Sequence, residues 1–173
     1  MMVDLDYPNE AEILWLFDQD VSDTAILLPT PIRAANVVFL DGNTFGFDSR
    51  GVRSFIFKEL DSDDLVAWAP MQNALATWRG AAFALGQEAV FNPATYFDGG
   101  ALHVHETPLQ WLQADRQGIV ILRHDLSHAY LAHCQRLACS DTGFAKKVKA
   151  WLQPRKPTVK ILVEAQAEKA EAA

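Results

Sequence analysis

The chain has only two cysteines in 173 residues, Cys134 and Cys139, too few for a disulfide framework. No apolar run approaches the roughly 20 residues that a membrane-crossing helix requires. The N-terminal stretch MMVDLDYPNE is acidic and lacks the basic-then-apolar layout of a secretory signal. A cytoplasmic protein of the host cell, with no membrane contact, is the expectation. The sequence contains neither a Gly-x-Ser-x-Gly nucleophile elbow nor a Gly-x-x-x-x-Gly-Lys phosphate loop, so two common motif-borne chemistries are excluded. Histidine is absent outside residues 103–133.

Large apolar side chains are plentiful. Half of the residues are hydrophobic, with five Trp and ten Phe, enough to bury one substantial core and to exclude disorder over most of the chain. The net charge of −7 is unevenly distributed. Residues 1–64 carry thirteen Asp/Glu against Arg33, Arg50, Arg53 and Lys58, a net −9. Residues 116–160 carry nine Lys/Arg against Asp125 and Asp141, a net +7. Such a split supplies a basic face for an acidic partner and an acidic one for a basic partner, or lets the two halves attract each other within one fold.

Periodicity and turn residues predict an α+β / α/β chain. A helix is expected from Asn9, a capping residue, to about Gln19. A short strand follows at Ala25–Leu28. Four strands, Val37–Leu40, Thr44–Phe47, Val52–Phe57 and Leu65–Trp68, are separated by short turns, and this predicts an N-terminal antiparallel β-meander. A helix over Met71–Leu85 is read from the stripe Leu75, Trp78, Ala82, Leu85, with Gly86 as its cap. These elements make a first unit, residues 1–86, followed by a connecting loop over 87–100. Residues 101–164 read as a C-terminal three-layer βαβαβαβ unit of about four mostly parallel strands. Its strands are Ala101–His105, Gly118–Leu122, Arg136–Ser140 and Thr158–Val163. Its helices are Pro108–Asp115, Leu126–Gln135 and Asp141–Gln153. Residues 165–173 form a polar, frayed tail, and the whole is expected to make one compact unit.

Strand alternation puts His103 and His105 on one face. A His-x-His strand is a metal-ligand arrangement that needs a third donor, and His124 at the end of the neighbouring strand, Glu106 or Asp125 is placed to supply it. Zinc or another divalent metal is therefore the alternative to having no cofactor. Helical angles at about 100° per residue turn His133 and Cys134 toward the sheet and His128 toward solvent. The cysteines read as small buried hydrophobes. The pair Asp63–Asp64 reads as a solvated loop. Lys146, Lys147 and Lys149 occupy the polar side of the last helix, with Arg155 and Lys156 just beyond. Five cations so close together form a candidate surface for a phosphate-bearing partner.

The runs HETPLQWLQADRQGIVILR and DLVAWAP…ATWRGAAFALG resemble primase-associated segments of uncharacterised accessory proteins from proteobacterial phages, prophages and plasmids. The likeness spans roughly residues 65–163. It implies a mobile-element context and transfers no active-site residue, since the Asp-x-Asp and strand-end Glu of a toprim-type centre are absent from that span. Catalytic residues are therefore expected to be none. The leading reading is a non-catalytic accessory or regulatory binding protein acting on a protein partner or a nucleoprotein. The alternatives are a metal-dependent hydrolase using the His-x-His strand and a structural phage component.

Overall fold

The computed structural model describes residues 5–41 and 43–153. Helix α1 (Glu10–Asp18) begins where the sequence places it. Asn9 accepts from the Glu12 amide while the Glu12 side chain accepts from the Asn9 amide, a reciprocal cap that satisfies two orphan donors. The next element is not the expected strand but helix α2 (Asp23–Leu27). The Ser22 hydroxyl accepts from Ala25 N at 3.0 Å, so a local cap overrides the apolar β-like composition of Ala25–Leu28.

Strands β1 (Arg33–Leu40), β2 (Thr44–Phe47), β3 (Val52–Glu59), β4 (Asp64–Ala69) and β5 (Ala74–Thr77) form a closed barrel. The four expected strands are present, but they do not make a simple meander. β1 lies between β2 and β3, antiparallel to both, and β3 pairs antiparallel with β4. The barrel closes through β5, antiparallel to β4 and parallel to β2 at Thr44 and Thr77. Closure removes the free sheet edges that an open meander would expose.

The expected helix over Met71–Leu85 is replaced by a 3-10 turn at Pro70–Gln72, strand β5, a loop, and strand β6 (Ala84–Leu85). Asn73 turns the chain with φ +48° and sends Leu75 back to pair with Trp68. Gly80, at φ +72°, then bends the segment again. Of the helically spaced Leu75, Trp78, Ala82 and Leu85, Leu75 lies in β5 and Leu85 in β6, while Trp78 and Ala82 lie in the loop between them.

The second sheet has the order β6-β8-β7-β9, with β7 (Leu102–His105), β8 (Ile119–Ile121) and β9 (Leu137–Cys139). β7 is parallel to β8 and to β9, while β6 is antiparallel to β8. Of the expected strands, Thr158–Val163 lies outside the described residues, and β6 supplies the fourth member here. α3 (Pro108–Gln113), capped by Thr107, joins β7 to β8. α4 (Ser127–Leu131) and α5 (Thr142–Trp151) follow β8 and β9.

The barrel and the second sheet share packing. Leu16, Phe57, Trp68, Leu85, Trp111 and Leu122 belong to one continuous cluster, so barrel and α3 together cover one face of the sheet. Leu102, Val104, Ile119 and Ile121 face the other way and pack with Leu131, Phe144 and Val148. At about 25 cal/mol per Å² of apolar area, such shared burial couples the two halves energetically. Within the second sheet, Gly118 at φ +89° allows a close approach, since a Cβ there would collide with the His103 carbonyl oxygen.

Candidate functional site

The parallel strands end together, so the residues after β7 and β8 meet at one edge. These are His105–Glu106 on one side and Leu122–His124 on the other. β7 is flanked by the two strands that follow it in the chain, so its successive connections leave on opposite sides. In open α/β sheets, ligands bind in the crevice outside the carboxyl ends of strands at such a reversal. A cavity of about 250 Å³ is present there, bounded by His105, Glu106, His124, Phe144, Lys147 and Trp151. A second, of about 260 Å³, shares Glu106 and His124 and reaches the barrel at Asn43, Trp68 and Asn73.

The imidazoles have distinct environments. His105 Nε2 lies 2.8 Å from the Gln117 carbonyl oxygen. Burial lowers its pKa, partly opposed by that hydrogen bond, so at neutral pH the ring is uncharged with the proton on Nε2, because a carbonyl only accepts. His124 stacks on Trp151 with ring centroids 3.9 Å apart and planes 8° from parallel. Burial also lowers the His124 pKa, against the pull of Asp125. Lys147 Nζ donates to Glu106 Oε1 at 2.8 Å, closing the side of the cleft. This pair is largely exposed and contributes little to stability.

Two members of the expected metal set, His105 and His124, border the same cavity. His103 does not join them. It lies on the same strand face as His105, with ring centroids 6.3 Å apart, but it borders another cavity with Arg116 and Gln117. His105 Nε2 is committed to a carbonyl, and His124 lies three residues beyond β8 with its ring against Trp151. Among the described residues, no three His, Cys, Asp or Glu side chains are placed to hold a metal ion. The His103–His105–His124 donor set is therefore not assembled for zinc.

Lys146, Lys147 and Lys149 are exposed on α5, while Phe144 and Val148 on its opposite side are buried. The face is the one the sequence predicts. Arg155 and Lys156 lie outside the described residues. His128 is exposed as expected, but His133 is exposed as well. The expected helix Leu126–Gln135 stops at Leu131, and Leu131 rather than His133 reaches the core. Asp125, the expected cap, sits inside a 3-10 turn and pairs with Arg123 at 2.8 Å. Cys134 and Cys139 are half-buried, and Cys134 Sγ accepts from the Tyr96 hydroxyl at 3.3 Å.

Two buried carboxyl groups escaped the sequence reading. Asp64, expected in a solvated loop, is fully buried. Its Oδ1 accepts from Leu65 N and Arg79 N, and its Oδ2 from Ala81 N and Ala82 N, at 2.8–3.1 Å. Glu59, at the end of β3, accepts from Gly86 N at 2.8 Å and from Gln87 N at 3.3 Å. Burial pushes its pKa up to about 8, against the lowering effect of those amides. Strand parity with Phe55 and Phe57 was a legible sign that Glu59 points inward. Asp64 shares the same parity with Val66 and Trp68, but three of its four amide partners lie 15–18 residues further on and left no local signal. Both carboxyls tie the barrel to the segment that enters the second sheet.

No protein-family model matches the chain, and searches of curated proteins and of solved structures found no significant match.

Proposed function

We propose that the chain is a non-catalytic accessory protein of a mobile genetic element that binds a nucleoprotein partner through the outer face of α5. The observation that carries this reading is the exposure of Lys146, Lys147 and Lys149 on one short helix anchored by Phe144 and Val148. Among the described residues, Lys147 alone of the three is engaged in an ion pair, which leaves two ammonium groups for phosphates. The residues 116–160 around them carry a net +7. A sequence-independent, salt-sensitive grip on a nucleic-acid backbone is what such a face supplies. The mobile-element context rests on the resemblance of residues 65–163.

The test is binding to a fluorescent DNA duplex over a series of salt concentrations. Replacing Lys146 and Lys149 with alanine is expected to lower the log–log salt slope by roughly two, at about 0.9 per lost phosphate contact. Replacing all three lysines with glutamate is expected to abolish binding without changing the melting temperature, because none of the three is buried. Unchanged affinity and slope in both variants would remove α5 from the account.

A further inference from the structure

A predominantly apolar groove lies away from α5. It runs between α1 and the barrel, encloses about 420 Å³, and is lined by Trp15, Phe55, Pro70 and Met71, among others. Its aromatic wall is rigid. Trp15 stacks on Phe55 with centroids 6.0 Å apart and leans on Trp68 at 6.1 Å. Its lip is soft. Met71 is 90% exposed, on a 3-10 turn that buries none of its residues. A polarizable, unbranched side chain adapts to varied apolar partners, and an exposed apolar recess with a polar rim marks an interaction surface.

The rim specifies the partner's charge. Among the described residues, Arg53 is the one cation lining the groove, and it is already held by Glu12 at 2.9 Å and, from just outside the lining, by Asp6 at 2.8 Å. The Asp6–Arg53–Glu12 cluster at this side of the groove carries one net negative charge, and exposed Glu10, next to the lining residue Ala11, adds another. An anionic segment would be repelled there, whereas lysine or arginine flanking an apolar anchor gains the nearby carboxylates.

We propose that this groove docks a segment of a partner protein in which one large apolar side chain is flanked by basic residues. The site is independent of the α5 lysines and opposite to them in charge. Together the two would let the chain bridge a basic protein and a phosphate-bearing assembly.

The test uses the full chain labelled with ¹⁵N and the capped peptide KKLFKK as probe, reading the Trp15 indole resonance, assigned by its loss in Trp15→Phe. A saturable shift of that resonance is expected. The peptides EELFEE and KKSSKK are each expected to bind at least tenfold more weakly. Met71→Lys places a cation on the lip without touching the core, and it is expected to weaken KKLFKK by roughly tenfold while leaving the melting temperature unchanged. The proposal is overturned by no saturable shift at millimolar peptide, by equal binding of EELFEE, or by indifference to Met71→Lys. A Trp15 shift that follows protein concentration without peptide assigns the groove to a second copy of the chain and also overturns it.

Discussion

Replacing Asp64 with alanine is expected to destabilise the protein by about 4–6 kcal/mol. The Asp64 carboxyl accepts from a fan of backbone donors, Leu65 N, Arg79 N, Ala81 N and Ala82 N. All four lie around a side chain with no solvent exposure. A buried donor left without a partner costs roughly 1–3 kcal/mol, less where water enters the space vacated. The loss is comparable to the 5–15 kcal/mol that keeps a typical domain folded, so Asp64→Ala accumulates as unfolded or aggregated chain. Asp64→Asn keeps one carbonyl oxygen but turns an amide toward two of the donors, and about 2–4 kcal/mol is expected. Asp63, exposed and only 3.9 Å from Arg79 in a loose pair, serves as the control. Asp63→Ala is expected to stay within ±0.5 kcal/mol of the parent. Urea midpoints at constant slope measure all three. An Asp64→Ala protein as stable as Asp63→Ala would show that the fan of amides contributes nothing.

Glu59 governs the second large effect, and its sign depends on pH. In the unfolded chain this carboxyl titrates near 4.5, whereas burial in the folded protein raises its pKa to about 8. Below pH 4.5 both states hold the proton and the folded protein suffers no penalty from this group. Between pH 4.5 and 8 the unfolded chain gives up the proton and the folded chain keeps it. Stability therefore falls with rising pH by about 1.4 kcal/mol per unit. Above pH 8 the loss is complete, at up to about 5 kcal/mol. Glu59→Gln abolishes the titration and keeps one oxygen to accept from Gly86 N. Its unfolding free energy is expected to be flatter between pH 5 and 9, and to exceed the parent's by about 2–4 kcal/mol at pH 9. Thermal melts at pH 5, 7 and 9 compare the two proteins. Parallel pH profiles would refute the assignment of this dependence to Glu59.

The stability effects and the docking surfaces occupy different parts of the molecule. Asp64 and Glu59 hold the strand-to-loop junctions inside, where the barrel meets the second sheet. The α5 lysines and the Met71 lip are exposed, so they can be changed without unfolding the chain. Binding defects in the lysine and methionine variants can therefore be separated from folding defects.

Much of this architecture was legible in short stretches of sequence. Asn9 and Glu12 announced α1, Thr107 and Pro108 announced α3, and Asp141 announced α5, because a capping side chain and the amides it satisfies lie within three residues. The strands from Val37 to Trp68 were legible because turn residues punctuate β-rich runs. The lysine face of α5 followed from helical periodicity alone.

What failed were the segments whose partners are remote. The stripe from Leu75 to Leu85 has helical spacing, yet within that segment Thr77 pairs with Thr44 and Leu85 with Val120. Tertiary pairing decided against local periodicity. Likewise, the sequence placed His103, His105 and His124 near one another along neighbouring strands. Only the folded chain showed that His105 is tied to Gln117, that His124 lies on Trp151, and that His103 borders another cavity. The sequence by itself determined composition, charge asymmetry, most secondary structure and the basic helix face, since each depends on residues a few positions apart. Tertiary structure alone decided the barrel closure, the burial of Asp64 and the parting of the histidines, since each depends on groups brought together from distant points in the chain.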